Sequence, residues 1–318
     1  MPLKYVFYVK EIHMTDNPSA NQRVVYKPFT GQNIVQTPGR MSRKEGVAVC
    51  PFCADITDGR WPAGSETWLR PNDFPAMKPP VGECYVLLYA RSHDVPFYDL
   101  DVQQVTRVVE LWQTAYTKLS ATYACVMTFE NAGAEIGQTQ RHPHGQTYGV
   151  SFLPPVIETE LHFAREHMRQ TGGCLYCKTM QEELNGARLV FQGENWMGFI
   201  PEWARYPFET HIYPRAHISA VNEIPGGSAA IAELAAALLR VIRGYNTVYE
   251  APMPYMLALH QYADSAYHFH IELLPVGRAP NKLKFAASSE AAFGLWLNDS
   301  QPELKAAELR NAIESTLK

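Results

Sequence analysis

The chain has 318 residues, of which 46% are hydrophobic and 19% charged, a composition that suits a globular protein and leaves room for two domains. The formal net charge of −4 argues against a nucleic-acid-binding surface, which is normally basic. The N-terminal residues lack the apolar run of a secretion signal, and no stretch reaches the ~18 apolar residues of a membrane span, so we expect a cytoplasmic protein without membrane contact.

The first feature along the chain is a cysteine pair, Cys50 and Cys53, followed by a strand that ends near a histidine. Residues 84–93 read CYVLLYARSH and predict this strand, because the run is short and mainly apolar. Residues 102–119 carry apolar side chains at helical spacing, which predicts an amphipathic helix. A strand over 123–131 and another at the sequence HPHGQ complete this part of the chain.

A second copy of this pattern begins at Cys174, 124 residues after the first cysteine. In both copies the second cysteine lies 40 residues before a histidine in a Tyr-x-Arg-x-His sequence, which is His93 in the first copy and His217 in the second. An HxH motif follows 49 residues after His93 and 51 residues after His217. Matched spacing of this kind indicates that a unit the size of a small domain has been duplicated.

The second copy predicts the same elements in the same order. Strands are predicted over 209–219 and 255–261, on either side of a helix that starts near Ser228, and a last helix is predicted over 302–313. The order strand, helix, strand, strand is typical of an α+β domain with an antiparallel sheet. We therefore predict an α+β protein of two tandem domains, residues 1–160 and 161–318, each with an antiparallel sheet flanked by helices.

Each copy contains two cysteines and two histidines, the usual ligands of a structural zinc ion. Paired CxxC motifs in a reducing compartment favour a metal or redox site over disulfides, and the duplication with distant histidines favours metal. The predicted ligands are Cys50, Cys53, His93 and His142 for the first zinc and Cys174, Cys177, His217 and His268 for the second. Four protein ligands close the coordination sphere, so neither ion is expected to take part in the chemistry.

His144 lies two positions after His142, on the same face of the predicted strand, but is not needed for the zinc site. A neutral imidazole attacks phosphorus at neutral pH and forms a phosphoramidate that can pass its group to a second acceptor. Gln146 lies on the same face and has an amide that can donate to phosphoryl oxygens. The glycines of residues 131–139 would let backbone N–H groups approach a phosphate. Cationic help could come from Arg40, Arg43 or Arg141.

The segment NAGAEIGQTQRHPHGQTYG, residues 131–149, resembles the active-site segment of galactose-1-phosphate uridylyltransferases, a branch of the histidine triad superfamily. Residues 28–43 and 284–303 resemble the N-terminal and C-terminal segments of the same family. The resemblance implies two histidine triad domains in one chain and a homodimer. It also implies a double displacement, in which His144 takes the uridylyl group from UDP-glucose and passes it to galactose 1-phosphate.

The resemblance implies roles for further residues, beginning with Gln146 as the group that stabilises the covalent intermediate. The positions that match substrate-binding residues are Asn131, Gly137 and Thr139 for the phosphates, Arg40 and Arg43 near the nucleotide, and Lys284 for the hexose phosphate. Some family members carry iron at a second metal site, and the residues that match its ligands are Glu160, His260, His268 and His270. The intact cysteine pair of the second copy favours zinc, and His268 cannot readily serve both ions.

Several residues near the HPHGQ sequence differ from the family pattern. Gln138 and Gln140 stand where small or apolar residues are usual, and Arg141 adds a bulky cation. These differences leave the acceptor sugar open. The alternatives are an ADP-sugar or dinucleotide phosphorylase, a nucleotidyltransferase for an unusual sugar phosphate, and a nucleotide-binding protein without catalysis.

Overall fold

The structure is a computed structural model that describes residues 23–27, 30, 32–37, 49–279 and 282–316. The strands are β1 Arg23–Lys27, β2 Gln32–Gln36, β3 Trp68–Pro71, β4 Gly82–Leu88, β5 Cys125–Ala132, β6 His144–Val150, β7 Leu189–Gln192, β8 Trp196–Phe199, β9 Thr210–Pro214, β10 Tyr255–His260, β11 His270–Pro275, β12 Gly277–Ala279 and β13 Lys282–Leu283. The helices are α1 Pro51–Thr57, α2 Val102–Ser120, α3 Pro155–Thr171, α4 Leu175–Glu183, α5 Ala229–Tyr249, α6 Ser288–Phe293 and α7 Pro302–Ser315.

Nine of the strands in the described residues form one antiparallel sheet, in the order β3-β4-β6-β5-β10-β11-β9-β8-β7. The first copy supplies the first four of these strands and the second copy the other five. The copies meet where β5 pairs with β10, in a ladder that runs from Ala132 opposite Tyr255 to Thr128 opposite Leu259. The predicted α+β class with an antiparallel sheet is thus confirmed. The two copies share that sheet, and the boundary predicted at residue 160 lies inside α3.

Helices α2 and α5 cover one face of the sheet, and α7 packs on α5. Helix α2 begins at Asp101, whose carboxylate accepts a hydrogen bond of 2.7 Å from the N–H of Gln104 and so satisfies one of the unpaired donors of the first turn. Its apolar face is buried, with Trp112 fully enclosed; a side chain of this size contributes ~3–5 kcal/mol to stability. Gly244 of α5 allows α7 to pack closely, because a Cβ atom at this position would lie 2.7 Å from Ile313.

The opposite face of the sheet carries the chemically reactive side chains, and α3 and α4 pack against part of it. Because successive side chains of a strand alternate between faces, His144 and Gln146 of β6 lie on this face together. Gln146 pairs with Phe129, Phe129 with Ala258, and Ala258 with Glu272, so one row of residues crosses both copies. At about 4.8 Å per strand, Gln146 and its counterpart Glu272 are roughly 14 Å apart. Among the described residues, no helix is long and apolar enough to cross a membrane.

Candidate active site and metal clusters

The first cysteine pair lies at the start of α1, with Cys50 as the N-cap and Cys53 one turn later. Residues three apart share a face of a helix, so the two thiols point the same way. Cys53 Sγ is 3.3 Å from His93 Nδ1 and 3.7 Å from His142 Nδ1. The four candidate ligand atoms of this first cysteine cluster all lie within 4.8 Å of one another, as a tetrahedral zinc site requires.

The neutral ring of His142 fits a cation at the centre of this cluster. The Nε2–H of His142 donates to the carbonyl of Ala90 at 2.7 Å, so the Nδ1 lone pair faces the thiols. Burial lowers the pKa of His142 to about 4 and keeps the ring neutral. Burial and the neighbouring Cys50 thiol raise the pKa of Cys53 to about 11. A zinc ion would reverse that shift, because a coordinated thiol loses its proton.

Helix α1 connects this cluster to the HPHGQ strand through the ring of Phe52. The centroid of that ring lies 5.6 Å from the ring of His142 and 5.4 Å from the ring of His144. The guanidinium of Arg70 covers Phe52 at 5.6 Å and also donates to Asp55, which is fully buried. This buried ion pair fixes α1 against β3 and therefore fixes Phe52 against both imidazoles.

The second cysteine cluster repeats the first. Helix α4 has Cys174 as its N-cap, and Cys177 Sγ lies 3.5 Å from the Nδ1 atoms of both His217 and His268. Its four candidate ligand atoms again lie within 4.8 Å of one another. The Nε2–H of His268 donates to the carbonyl of Pro214 at 2.9 Å, which matches the bond made by its counterpart in the first cluster. The eight predicted zinc ligands are thus brought together in two sets of four.

Three of the four residues matched to an iron site also come together, but with a different fourth member. This mixed cluster consists of Glu160, His260, His270 and Glu272. The alternative site predicted from Glu160, His260, His268 and His270 differs from this cluster in one member, because the Nδ1 of His268 lies 3.5 Å from Cys177 Sγ. His270 donates from Nδ1 to the carbonyl of His268 at 3.0 Å, so its Nε2 faces the mixed cluster. The cysteine cluster and the mixed cluster therefore do not compete for a ligand.

Within the chain, the carboxylates of the mixed cluster are balanced by a histidine and an arginine. His260 Nδ1 lies 3.0 Å from both carboxylate oxygens of Glu160, and its Nε2 lies 3.4 Å from Glu272. Burial lowers the pKa of His260, but these two carboxylates outweigh it and raise the pKa to about 9. Arg205 pairs with Glu272 and, at 2.8 Å, with Glu209. A metal ion here would have to take the place of the proton on His260.

His144 opens β6 and is half-buried. Its Nδ1–H donates to the carbonyl of His142 at 2.7 Å, which holds the ring and places the lone pair of the neutral imidazole on Nε2. Among the described residues, the groups that could hold a metal do not include His144. The ring is therefore oriented by the backbone of a candidate zinc ligand, as a nucleophilic imidazole requires.

Gln146 has a partner that the sequence analysis missed. The hydroxyl of Tyr148 donates to Gln146 Oε1 at 2.6 Å, so the amide nitrogen is the end that can donate to a phosphoryl oxygen. Tyr148 in turn packs edge-on against Phe129, with ring centroids 5.0 Å apart. The signal was present in the sequence, because His144, Gln146 and Tyr148 follow one another at the two-residue period of a strand face.

The glycine-containing loop before β6 is closed by its own hydrogen bonds. The N–H of Gly133 donates to Gln138 Oε1 at 2.7 Å, and the N–H of Gly137 donates to the carbonyl of Ala134 at 3.1 Å. Both glycines have positive φ angles, which favour glycine. Their N–H groups are thus used inside the loop, and the side chains of Asn131 and Thr139 are the loop's candidate donors for a phosphate.

The remaining predicted substrate contacts are distributed as follows. Arg141 has a side chain that is 85% exposed and lies 3.6 Å from Asp94. Lys284 is buried in the second half of the chain, where its ammonium donates to the carbonyls of Arg205, at 2.6 Å, and Leu297. The two predicted arginines of the N-terminal segment, Arg40 and Arg43, lie outside the described residues.

Comparison with known families gives two adjoining matches. Residues 65–154 match the family model described as the N-terminal domain of galactose-1-phosphate uridyl transferase, and residues 158–314 match its C-terminal domain. A galactose-1-phosphate uridylyltransferase of Streptomyces lividans is 33% identical over 261 residues, which cover 80% of this chain and 68% of that protein. One from Thermotoga maritima is 28% identical over 312 residues, covering 90% of this chain and 96% of the relative.

Solved structures give the same picture. A structure described as that of a uridylyltransferase superposes with a TM-score of 0.84 at 30% identity, covering 94% of this chain and 100% of the other. An ADP-glucose phosphorylase from Arabidopsis thaliana superposes with a TM-score of 0.73 at 18% identity, covering 91% of this chain and 99% of the other. The second likeness indicates a common fold only.

Proposed function

Because the chain belongs to the galactose-1-phosphate uridyl transferase family, we propose that it transfers a uridylyl group from UDP-glucose to a hexose 1-phosphate through a covalent intermediate on His144. The chain is thus a transferase. The observation that carries the mechanism is the hydrogen bond from His144 Nδ1 to the His142 carbonyl, because it makes Nε2 the basic nitrogen. A nucleophile held in one tautomer does not have to lose a proton or reorient before it attacks.

The reaction consists of two displacements at one phosphorus atom. In the first, His144 Nε2 attacks the α-phosphorus of UDP-glucose, and the bond to the bridging oxygen breaks so that glucose 1-phosphate leaves. In the second, a phosphate oxygen of the acceptor hexose 1-phosphate attacks the same phosphorus, and the bond to Nε2 breaks. Gln146 would donate to a non-bridging oxygen throughout, with its amide held by Tyr148.

Intact mass spectrometry tests this proposal and the choice of base together. Incubation with UDP-glucose and no acceptor should add the mass of one uridylyl group (UMP less one water) to the chain, and later addition of a hexose 1-phosphate should remove it. ADP-glucose, supplied in parallel, should add nothing. An adduct from ADP-glucose alone would instead favour the phosphorylase, and no adduct from either donor would favour a nucleotide-binding protein. Comparing galactose 1-phosphate with other hexose 1-phosphates identifies the acceptor.

Changing Gln146 to glutamate copies the residue of the second repeat into the first. We expect Gln146→Glu to lower kcat by roughly 10²–10³-fold, because a carboxylate repels the phosphoryl oxygens that the amide would stabilise. Gln103→Glu is the matched control, since it adds the same charge at an exposed position of α2, away from the strand, and should change kcat less than about 3-fold. Steady-state kinetics measure both variants, and equal losses in the two would argue against a direct role for Gln146.

We propose that each cysteine cluster binds one structural zinc ion. Two thiolates and two imidazoles form the usual closed zinc site, and the hydrogen bonds of His142 and His268 orient both rings for it. The mixed cluster contains imidazoles and carboxylates, which are more suitable ligands for Fe²⁺ than a set that includes two thiolates. We therefore assign any bound iron to the mixed cluster. Elemental analysis should find two zinc ions per chain, and any iron should disappear in Glu160→Gln.

We also propose a homodimer that works in the cytoplasm. Support for the dimer comes from the C-terminal segment, where Phe285, Phe293 and Leu295 leave 66%, 84% and 61% of their surface exposed. Exposed apolar side chains so close together along the chain favour an interaction surface. Support for the compartment comes from the cysteines, all six of which are free thiols. Sedimentation at equilibrium would reveal a monomer if the first of these proposals is wrong.

A further inference from the structure

A buried carboxyl lies at the seam where the two repeats join. Glu130 belongs to β5, next to Asn131, and only 4% of its surface is exposed. One of its oxygens accepts a hydrogen bond of 2.9 Å from the hydroxyl of Tyr255, which belongs to β10 of the second repeat. The other oxygen, Oε2, has no hydrogen-bond partner among the described residues. A carboxyl in such a place costs stability, so the fold retains it against an unfavourable desolvation energy.

The same carboxyl is contacted from the first repeat by Tyr89. Burial raises the pKa of Glu130 to about 7, and the hydroxyl of Tyr255, together with the nearby hydroxyl of Tyr89, opposes that rise only in part. The Tyr89 ring is also fully enclosed, and the indole N–H of Trp112 donates to its hydroxyl at 3.4 Å. The hydroxyl of Tyr89 therefore has a fixed position between α2 and the seam.

The Tyr89 hydroxyl also touches the strand that carries the nucleophile. A Cβ atom built on Gly145 would lie 2.1 Å from the Tyr89 oxygen, so the glycine backbone rests directly on that hydroxyl. Gly145 separates His144 from Gln146, and both of these side chains point to the other face of the sheet. The distance between the Gly145 backbone and the Tyr89 hydroxyl thus sets the position of the side chains of His144 and Gln146.

We propose that Tyr89, Glu130 and Tyr255 are positioning residues that hold the reactive strand in register with the second repeat. This inference rests on the proposed function, since it concerns where His144 and Gln146 stand for uridylyl transfer. Glu130 connects the two tyrosines, and Tyr89 transmits its position to Gly145. Attack on phosphorus requires the reacting atoms at about 3–3.5 Å, and an error of about 1 Å can cost about 10²-fold in rate. A rigid support under the strand therefore acts on kcat more than on substrate binding.

The test compares Tyr89→Phe, Tyr255→Phe and the double variant. Each single change removes one hydroxyl and keeps the ring, so the core stays filled. We expect each to lower kcat and the rate of His144 uridylylation by about 10-fold while the KM for UDP-glucose changes less than about 2-fold. Because the residues act as a unit, the double variant should lose little more than either single variant.

Tyr116→Phe is the matched control, because Tyr116 is buried in the same core on α2 and should affect only thermal stability. Unchanged kcat in Tyr89→Phe and Tyr255→Phe, with a lower Tm as in the control, would make both tyrosines merely structural and overturn the inference. Losses that multiply in the double variant would also overturn it. A wild-type protein that forms no uridylyl adduct would instead refute the proposed function.

Discussion

His144→Ala should abolish uridylyl transfer, with a loss in kcat of at least ~10⁴-fold, while the fold and the zinc content stay unchanged. The reason is that the substitution removes the only atom proposed to bond to phosphorus. Exchange of labelled glucose 1-phosphate into UDP-glucose measures the first displacement alone and needs no acceptor sugar. Intact mass spectrometry of the same variant should show no added UMP.

The second repeat offers another candidate nucleophile, because His270 occupies the place that corresponds to His144. It makes the same bond to the preceding histidine carbonyl, at 3.0 Å, but only 2% of its surface is exposed. The rings of Tyr176 and Tyr213 lie 5.3 Å and 4.9 Å from it and cover it. A nucleotide phosphate could not reach that ring without displacing the core.

These positions define the controls for the alanine variant. His162→Ala changes an exposed histidine of α3 and should keep full activity. Residual exchange above about 0.01% of wild type in His144→Ala, or a uridylyl adduct that maps to another residue, would contradict the assignment of the nucleophile. Zinc measured in the same samples separates a chemical effect from a loss of structure.

The sequence is enough to bring together the candidate site residues that lie close along the chain, for a physical reason. Metal ligands within a CxxC turn and side chains two apart on a strand are fixed by backbone geometry, so their relation follows from spacing alone. The repeat of the 40-residue interval then identified which distant histidines belong to each pair, His93 with Cys53 and His217 with Cys177. Helix α2 followed from its 3.6-residue period in the same way.

The parts that depend on strand pairing could not be predicted. Glu272 joins the mixed cluster because β10 and β11 pair in a register that sets Ala258 opposite it, and nothing in the spacing specifies that register. The contact of Tyr255 with Glu130 depends likewise on the pairing of the two repeats across the seam. The spacing also leaves open whether His268 belongs with the cysteine pair or with Glu160, because sequence order does not reveal which way the ring nitrogens of a histidine face.

The two cysteine clusters should differ in their effect on catalysis, although they have the same ligands. The double variant Cys50→Ser/Cys53→Ser is expected to lose one zinc ion per chain, to lower Tm by roughly 5–10 °C, and to lower kcat by about 10²-fold or more. Catalysis suffers because His142 is both a proposed zinc ligand and the residue whose carbonyl orients His144. Without the ion, that carbonyl is no longer held, and the imidazole loses its fixed tautomer and direction.

Cys174→Ser/Cys177→Ser removes the corresponding ligands from the second repeat and is the matched comparison. It should also lose one zinc ion and some thermal stability, but kcat should stay within about 3-fold of wild type. His268 orients His270 in the same manner, yet His270 is enclosed and not placed to meet a substrate. Equal losses of kcat in the two double variants would mean that zinc acts through overall stability alone. Unchanged zinc content in either double variant would refute that cluster as a metal site. Elemental analysis and kinetics on the same preparations then distinguish an ion that positions His144 from an ion that only stabilises the fold.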